Sequence, residues 1–211
     1  MYLGRIVSVG MTKKGDFAAI YRVSSRSFPN REAKILKDSV SIIPKAGFED
    51  DIRKNPYIAY NCAKIARNYA IVSNGSQTDP IAEKIAAGMP PRDALTLTLL
   101  TMDYEKDSYN TPRIATVLNP QEKSAFLGIV RKDALLVSEI SLTPGSLHYV
   151  STYEHNRVSD DYCDKNFDAA NADEACEYIL SRGIFRNFEH PVASVCLWFG
   201  SNGFEISSKT I

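Results

Sequence analysis

The chain has 211 residues, with 25 Lys and Arg against 25 Asp and Glu and 44% hydrophobic side chains, enough for one globular domain, 1–211, with its own core. Zero formal net charge argues against a nucleic-acid binder that works through bulk phosphate neutralisation, so any basic cluster is local and suits an anionic small molecule better than a polyanion. No window approaches the ~20 apolar residues of a membrane span, and the opening MYLGRIVSVGM lacks a basic region followed by a long apolar run, so a cytoplasmic, membrane-free protein is expected.

In chain order, GRIVSVG and FAAIYRVSS alternate as strands around MTKKGD, a turn with Gly and Asp where a hairpin needs them, and SVSIIP reads as a third strand. IAYNCAKIARNYAIVSNG predicts a hairpin with Arg67 and Asn68 at its tip. The periodicity then becomes helical. TDPIAEKIAAG carries a cap at Thr78 or Asp79, Pro80 near the first helical position, Ile81, Ile85 and Ala86 on one face, and Gly88 as a stop. MPPRDALTLTLLTMDYEKD repeats the device with Pro90 and Pro91.

Strands return in PRIATVLN, in AFLGIVRKDALLVSEISL with a turn near Lys132 and Asp133, and in HYVSTYE. NADEACEYILSRG predicts a helix with Asp173 and Glu174 in its first turn and Gly183 at its end. SVCLWFGSNGFEISS closes the chain as a hairpin turning at Asn202 and Gly203. This order predicts an α+β domain, two sheets packed together with helices outside. Edge strands in such a domain give a route to a homo-oligomer. Cys62, Cys163, Cys176 and Cys196 form no CxxC pair and read as reduced packing residues, while His148, His155 and His190 have no metal-ligand spacing.

Three polar stretches stand out between apolar elements. SSRSFPNR, with Arg22 just before it, offers guanidinium and hydroxyl groups suited to a phosphate or a developing oxyanion, or else is a solvated loop. NPYIAYN and VSNGSQTD bring Tyr60, Asn61, Asn74, Gly75 and Ser76 near a helix start, where backbone N–H groups hold anions, or else form an ordinary turn and cap. TMDYEKDSYNTPR crowds Asp103, Tyr104 and Glu105 at a helix C-terminus, where acids do not favour the dipole; a pocketed carboxylate there serves as a general acid or base, and a solvated one pairs with Lys106.

YRVSSRSFPNR, NPYIAYN, VSNGS with its following TD, and MDYEKD with NTPRI resemble, in order, the corresponding blocks of the archaeal-type inosine monophosphate (IMP) cyclohydrolases. The likeness runs from Tyr2 to about Ala115, and more loosely through STYE to the C-terminus. The resemblance implies a four-layered αββα fold of the N-terminal nucleophile hydrolase type, two antiparallel sheets flanked by helices. It implies ring closure of 5-formamidoimidazole-4-carboxamide ribonucleotide (FAICAR) to IMP with loss of water, the last step of de novo purine biosynthesis, with nucleotide substrate and product as partners and no nucleic acid, metal or cofactor. The chain starts Met1, Tyr2, Leu3 instead of with a nucleophile, so the usual hydrolase chemistry of that fold is not expected.

By the resemblance, Glu105 matches the family's catalytic carboxylate and Arg31 its catalytic arginine. Glu105 would shuttle the proton and Arg31 would polarise the formyl oxygen. Arg22 and Arg26 are candidates for the phosphate, and Tyr60, Asn61, Asn74, Gly75, Ser76, Asp103 and Tyr104 for the rest of the nucleotide. Two alternatives stay open: an amidohydrolase of the same fold using Cys62 or a serine near position 76, and a nucleotide-binding module without turnover.

Overall fold

A computed structural model describes all residues, Met1–Ile211. β1 (Ile6–Met11) and β2 (Phe17–Ser24) form the first hairpin, whose turn is closed by the Thr12 amide donating to the Asp16 carbonyl and by Gly15 at a φ of 95°. All eight residues of β2 are buried, because the strand lies between β1 and β12 (Pro191–Gly200) inside a six-stranded antiparallel sheet ordered β11-β10-β1-β2-β12-β13. Here β10 is Ser146–Ser151, β11 is Cys163–Asp164 and β13 is Gly203–Thr210.

The second sheet has seven antiparallel strands in chain order, β3 (Arg31–Ile35), β4 (Ser39–Pro44), β5 (Tyr60–Ala66), β6 (Tyr69–Ser73), β7 (Arg113–Asn119), β8 (Ser124–Arg131) and β9 (Ala134–Ile140). The sheets face each other across an apolar layer that takes Tyr21 and Val23 from β2, Cys62 from β5, Leu127 and Ile129 from β8 and Val195 and Leu197 from β12. α2 (Thr78–Ala86) and α3 (Pro91–Met102) cover the outer face of the second sheet through Ile81, Ile85 and Leu95. α4 (Ala172–Ser181) covers the first sheet through Ala175, Cys176 and Ile179. A short α1 (Asp51–Lys54) and 3-10 turns at Pro56–Ile58 and Gly183–Asn187 complete the chain. The expected α+β architecture of two antiparallel sheets with helices outside is therefore present. No helix is long and apolar enough to cross a membrane.

Several local expectations change. β3 was not foreseen, since REAKI is mostly polar; it forms because β4 offers it a full antiparallel register from Arg31↔Pro44 to Ile35↔Val40. The two-residue β11 carries too little pattern to be read. Neither Thr78 nor Asp79 caps α2: Gln77 precedes it in helical backbone with no side-chain cap, the Thr78 hydroxyl turns back to the Gly75 carbonyl, and Asp79 pairs with Lys64 at 2.8 Å. α3 stops at Met102, and Asp103 follows at a φ of 55°. α4 is capped by Asn171, whose Oδ1 accepts the Glu174 amide at 2.9 Å, and Gly183 at a φ of 50° starts the 3-10 turn that follows. In the last hairpin Gly200 pairs with Gly203, so Ser201 and Asn202 make the turn. All four cysteines are free thiols.

Candidate active site

Strand alternation decides which arginine of the second hairpin arm faces what. On β2, Tyr21 and Val23 point between the sheets while Ile20 points towards α4, so Arg22 also points towards α4. Fully buried, it donates to Ser24 Oγ and to the carbonyls of Ile179, Leu180, Phe185 and Phe188. It closes the C-terminus of α4 and the 3-10 turn behind it. All three of its nitrogens are engaged inside the fold and it does not line the cavity where β1 begins and β2 ends, which takes it away from the phosphate expected of it.

Where β1 begins and β2 ends, the sandwich opens into a cavity of about 610 Å³, a size suited to a small-molecule ligand. Its walls come from the segment before β1, the β2–β3 connection, the α3–β7 connection, Tyr153 and Glu154 after β10, and Glu189 before β12. Three arginines (Arg5, Arg26, Arg31) and four carboxylates (Glu105, Asp107, Glu154, Glu189) line it, so its wall carries both signs of charge.

Arg31 is 3% exposed at the start of β3. Its Nε donates to the Phe28 carbonyl at 3.0 Å, while its Nη1 is buried without a partner, a donor held ready for an acceptor in the cavity. Pro29 and Asn30 carry the chain from that carbonyl into β3.

Glu105 is 1% exposed and belongs to a loop folded around Asp107, which accepts the Thr111 amide at 2.9 Å and the Thr111 hydroxyl at 2.6 Å. The Glu105 amide donates to the Thr111 carbonyl at 2.8 Å. Its Oε2 accepts from Arg5 Nη2 at 2.8 Å, and its Oε1 is buried without a hydrogen bond, 3.9 Å from Arg113 Nη1. Burial pushes the carboxyl above its ordinary range, opposed by Arg5 and Arg113. The result is a carboxylate anchored through one oxygen, with the other buried and unbonded, in a surrounding that raises its affinity for a proton.

Tyr60 lies in the inter-sheet layer, 8% exposed, and its hydroxyl meets that of Tyr21 at 2.6 Å. Burial raises its phenol, with Arg31 and Arg5 working against the rise. Gly75 stands behind Glu105: a Cβ there would lie 2.7 Å from Gln77 Oε1, 2.9 Å from Arg113 Nη1 and 3.5 Å from Glu105 Oε1. Arg26 lines the mouth, its guanidinium 4.2 Å from the Tyr2 ring centroid and 3.3 Å from Glu189.

The remaining candidates lie elsewhere. Asn61 bridges Ser41 and Asp79 on the α2 side of the sheet. Asn74 is fully buried and ties Pro112, Ile114 and Gln77 together. Ser76 is exposed and does not line the cavity. Asp103 pairs with Lys106, whose ammonium sits 3.5 Å from the Tyr104 ring centroid, and neither Asp103 nor Tyr104 lines the cavity. Cys62 has no exposure, and burial pushes its thiol up, the opposite of an activated nucleophile.

Arg5, Thr111 and Tyr153, which line the cavity, and Arg113 beside Glu105 were not singled out from sequence. The signal for the two arginines is their position next to a strand: Arg5 immediately precedes β1, and Arg113 begins β7, whose residues are all buried. A charged residue at the end of such a strand needs a partner.

A model of the family described as IMP cyclohydrolase-like protein matches residues 2–202. The chain is 50% identical over 209 residues to the IMP cyclohydrolase of Methanosphaera stadtmanae, covering 99% of both chains. It is 47% identical to that of Methanococcus aeolicus, covering 91% of this chain and 92% of the relative, and 43% identical to that of Methanocaldococcus jannaschii, covering 99% of both. By these matches along nearly its whole length, the chain belongs to the IMP cyclohydrolase-like family.

Proposed function

We propose that this protein is an IMP cyclohydrolase, a cytoplasmic enzyme of one catalytic unit over residues 1–211 that closes FAICAR to IMP in the last step of de novo purine biosynthesis. The observation that carries the reading is a buried carboxylate, Glu105, with one oxygen anchored by Arg5 and the other free, in the same cavity as Arg31 with its unpartnered Nη1. The four layers, helix, sheet, sheet and helix, are read as the N-terminal nucleophile hydrolase type.

Ring closure forms a bond from the carboxamide nitrogen to the formyl carbon and breaks the bond from that carbon to the formyl oxygen. One hydrogen from the carboxamide nitrogen and one from the formamido nitrogen leave with the oxygen as water. The nitrogen is a poor nucleophile, so contact between the two groups and a base are needed. Glu105 Oε1 takes the proton and returns it to the departing oxygen, while Arg31 Nη1 stabilises charge on that oxygen. Arg26, with Ser25 and Ser27 beside it on the cavity wall, is the candidate for the phosphate. No enzyme nucleophile is required. The burial of Cys62 and the absence of Ser76 from the cavity wall favour this reading over the amidohydrolase.

The test is spectrophotometric formation of IMP from FAICAR by wild type and Glu105→Gln, without added metal. Turnover by wild type that falls by ~10²–10⁴-fold in the variant, with nucleotide binding retained, is expected. A folded wild type that binds the nucleotide and does not turn it over would identify a binding module instead.

A further inference from the structure

The two oxygens of Glu105 are held unequally. Oε2 is bonded to Arg5, whereas Oε1 is buried with no hydrogen bond, and Arg113 Nη1 stands 3.9 Å from it. That separation is just outside hydrogen-bond reach. A guanidinium so close to an unbonded carboxylate oxygen, both groups being buried, gains by closing the gap, because a charge-assisted hydrogen bond is the strongest contact either group can make.

Arg113 is held from its other side. The same Nη1 donates to Gln77 Oε1 at 3.0 Å. The other end of the Gln77 amide donates to Asn74 Oδ1 at 2.7 Å and to the Ile114 carbonyl at 3.2 Å. Asn74 is itself fixed, donating to the Pro112 carbonyl and accepting from the Ile114 amide, both at 2.9 Å. Gln77 and Asn74 have no exposed surface, and with both ends of its amide committed Gln77 cannot turn away. Gly75 leaves the space this arrangement uses, since a Cβ there would crowd both Gln77 Oε1 and Arg113 Nη1. Arg113 Nε is buried without a partner, so the guanidinium is held in a place that does not satisfy all its donors.

We infer that Gln77 is a positioning residue: it tethers Arg113 short of Glu105 and so keeps Oε1 free to take the proton. The inference rests on the proposed role of Glu105 as the base. Without the tether, Arg113 closes on Oε1 while Arg5 holds Oε2. The carboxylate then accepts a proton less readily and has no free oxygen to offer. Three charged groups face Glu105: Arg5 ahead of β1, Arg113 at the start of β7, and Asp107 on its own loop, which raises its affinity for a proton while the arginines lower it.

The experiment measures kcat/KM against pH for wild type, Gln77→Met, Arg113→Met and the double variant, and in parallel titrates the Glu105 carboxyl by infrared difference spectroscopy against Glu105→Gln. In Gln77→Met the acid limb should move to lower pH by about one unit and kcat/KM should fall at least tenfold. In Arg113→Met the limb should move to higher pH, and the double variant should follow Arg113→Met, because no guanidinium is left to restrain. These shifts do not depend on the fraction of folded enzyme. An unmoved limb in Gln77→Met, or a double variant midway between the two singles, overturns the inference. If wild type shows no turnover, the base role fails by itself; the infrared titration still decides the tether, upheld by opposite shifts in the two single variants and overturned by none.

Discussion

Arg22 and Arg31 are nine positions apart and chemically identical, yet they do different work because of what surrounds their donors. Arg22 meets four main-chain carbonyls and one hydroxyl and is fully buried, out of reach of a ligand in the cavity. Arg31 meets one carbonyl and keeps Nη1 free. Replacing Arg22 by Met strands the carbonyls behind α4, and at ~1–3 kcal/mol for each buried group left unpaired a loss of at least about 3 kcal/mol is expected in urea unfolding, while KM measured on folded protein stays unchanged. A raised KM would return Arg22 to the substrate site. The presence of the arginines was legible in the sequence. Their division of labour depends on strand parity, on the placement of α4, and on partners more than 150 positions away.

At the scale of elements, the sheet under α3 has to leave room for a helix that leads directly into the loop carrying Glu105. Gly128 on β8 provides it: a Cβ there would lie 2.8 Å from Leu99 Cδ1 and 3.3 Å from Val137 Cγ2. Gly128→Val should cost about 1–3 kcal/mol through overpacking, read as a lower midpoint of thermal unfolding, and an unchanged midpoint would show that α3 slides freely on its sheet. The apolar alternation of β1, β2, β7 and β8 and the helical spacing of α2 to α4 were readable because each buries a continuous face. β3 and the position of Asp103 beyond the last turn of α3 were not, since REAKI gains its strand conformation from β4 and the helix ends on a left-handed backbone step at a non-glycine residue.

Across the whole molecule, the two sheets are joined beside the cavity by the hydroxyl pair of Tyr21 on β2 and Tyr60 on β5, 2.6 Å apart in the layer between them. Removing one hydroxyl leaves the other buried and unpaired, so Tyr21→Phe and Tyr60→Phe should each cost ~1–3 kcal/mol, and the double variant should cost less than their sum. Strict additivity in denaturant titrations would mean that the pair does not tie the sheets. The sequence alone was sufficient for the two-sheet α+β class, for most strands and all three long helices, and for the blocks that carry the family likeness, because local periodicity and short motifs are properties of neighbouring residues. It was not sufficient for the cavity's membership. Arg5 and Glu105, paired in the cavity wall, lie 100 positions apart, while Asn74 and Ser76, two positions apart, separate to a buried tie and open surface. Which side chains share a cavity follows from how the sheets stack and where the loops at one end of the sandwich converge, and those are contacts between residues distant in the chain.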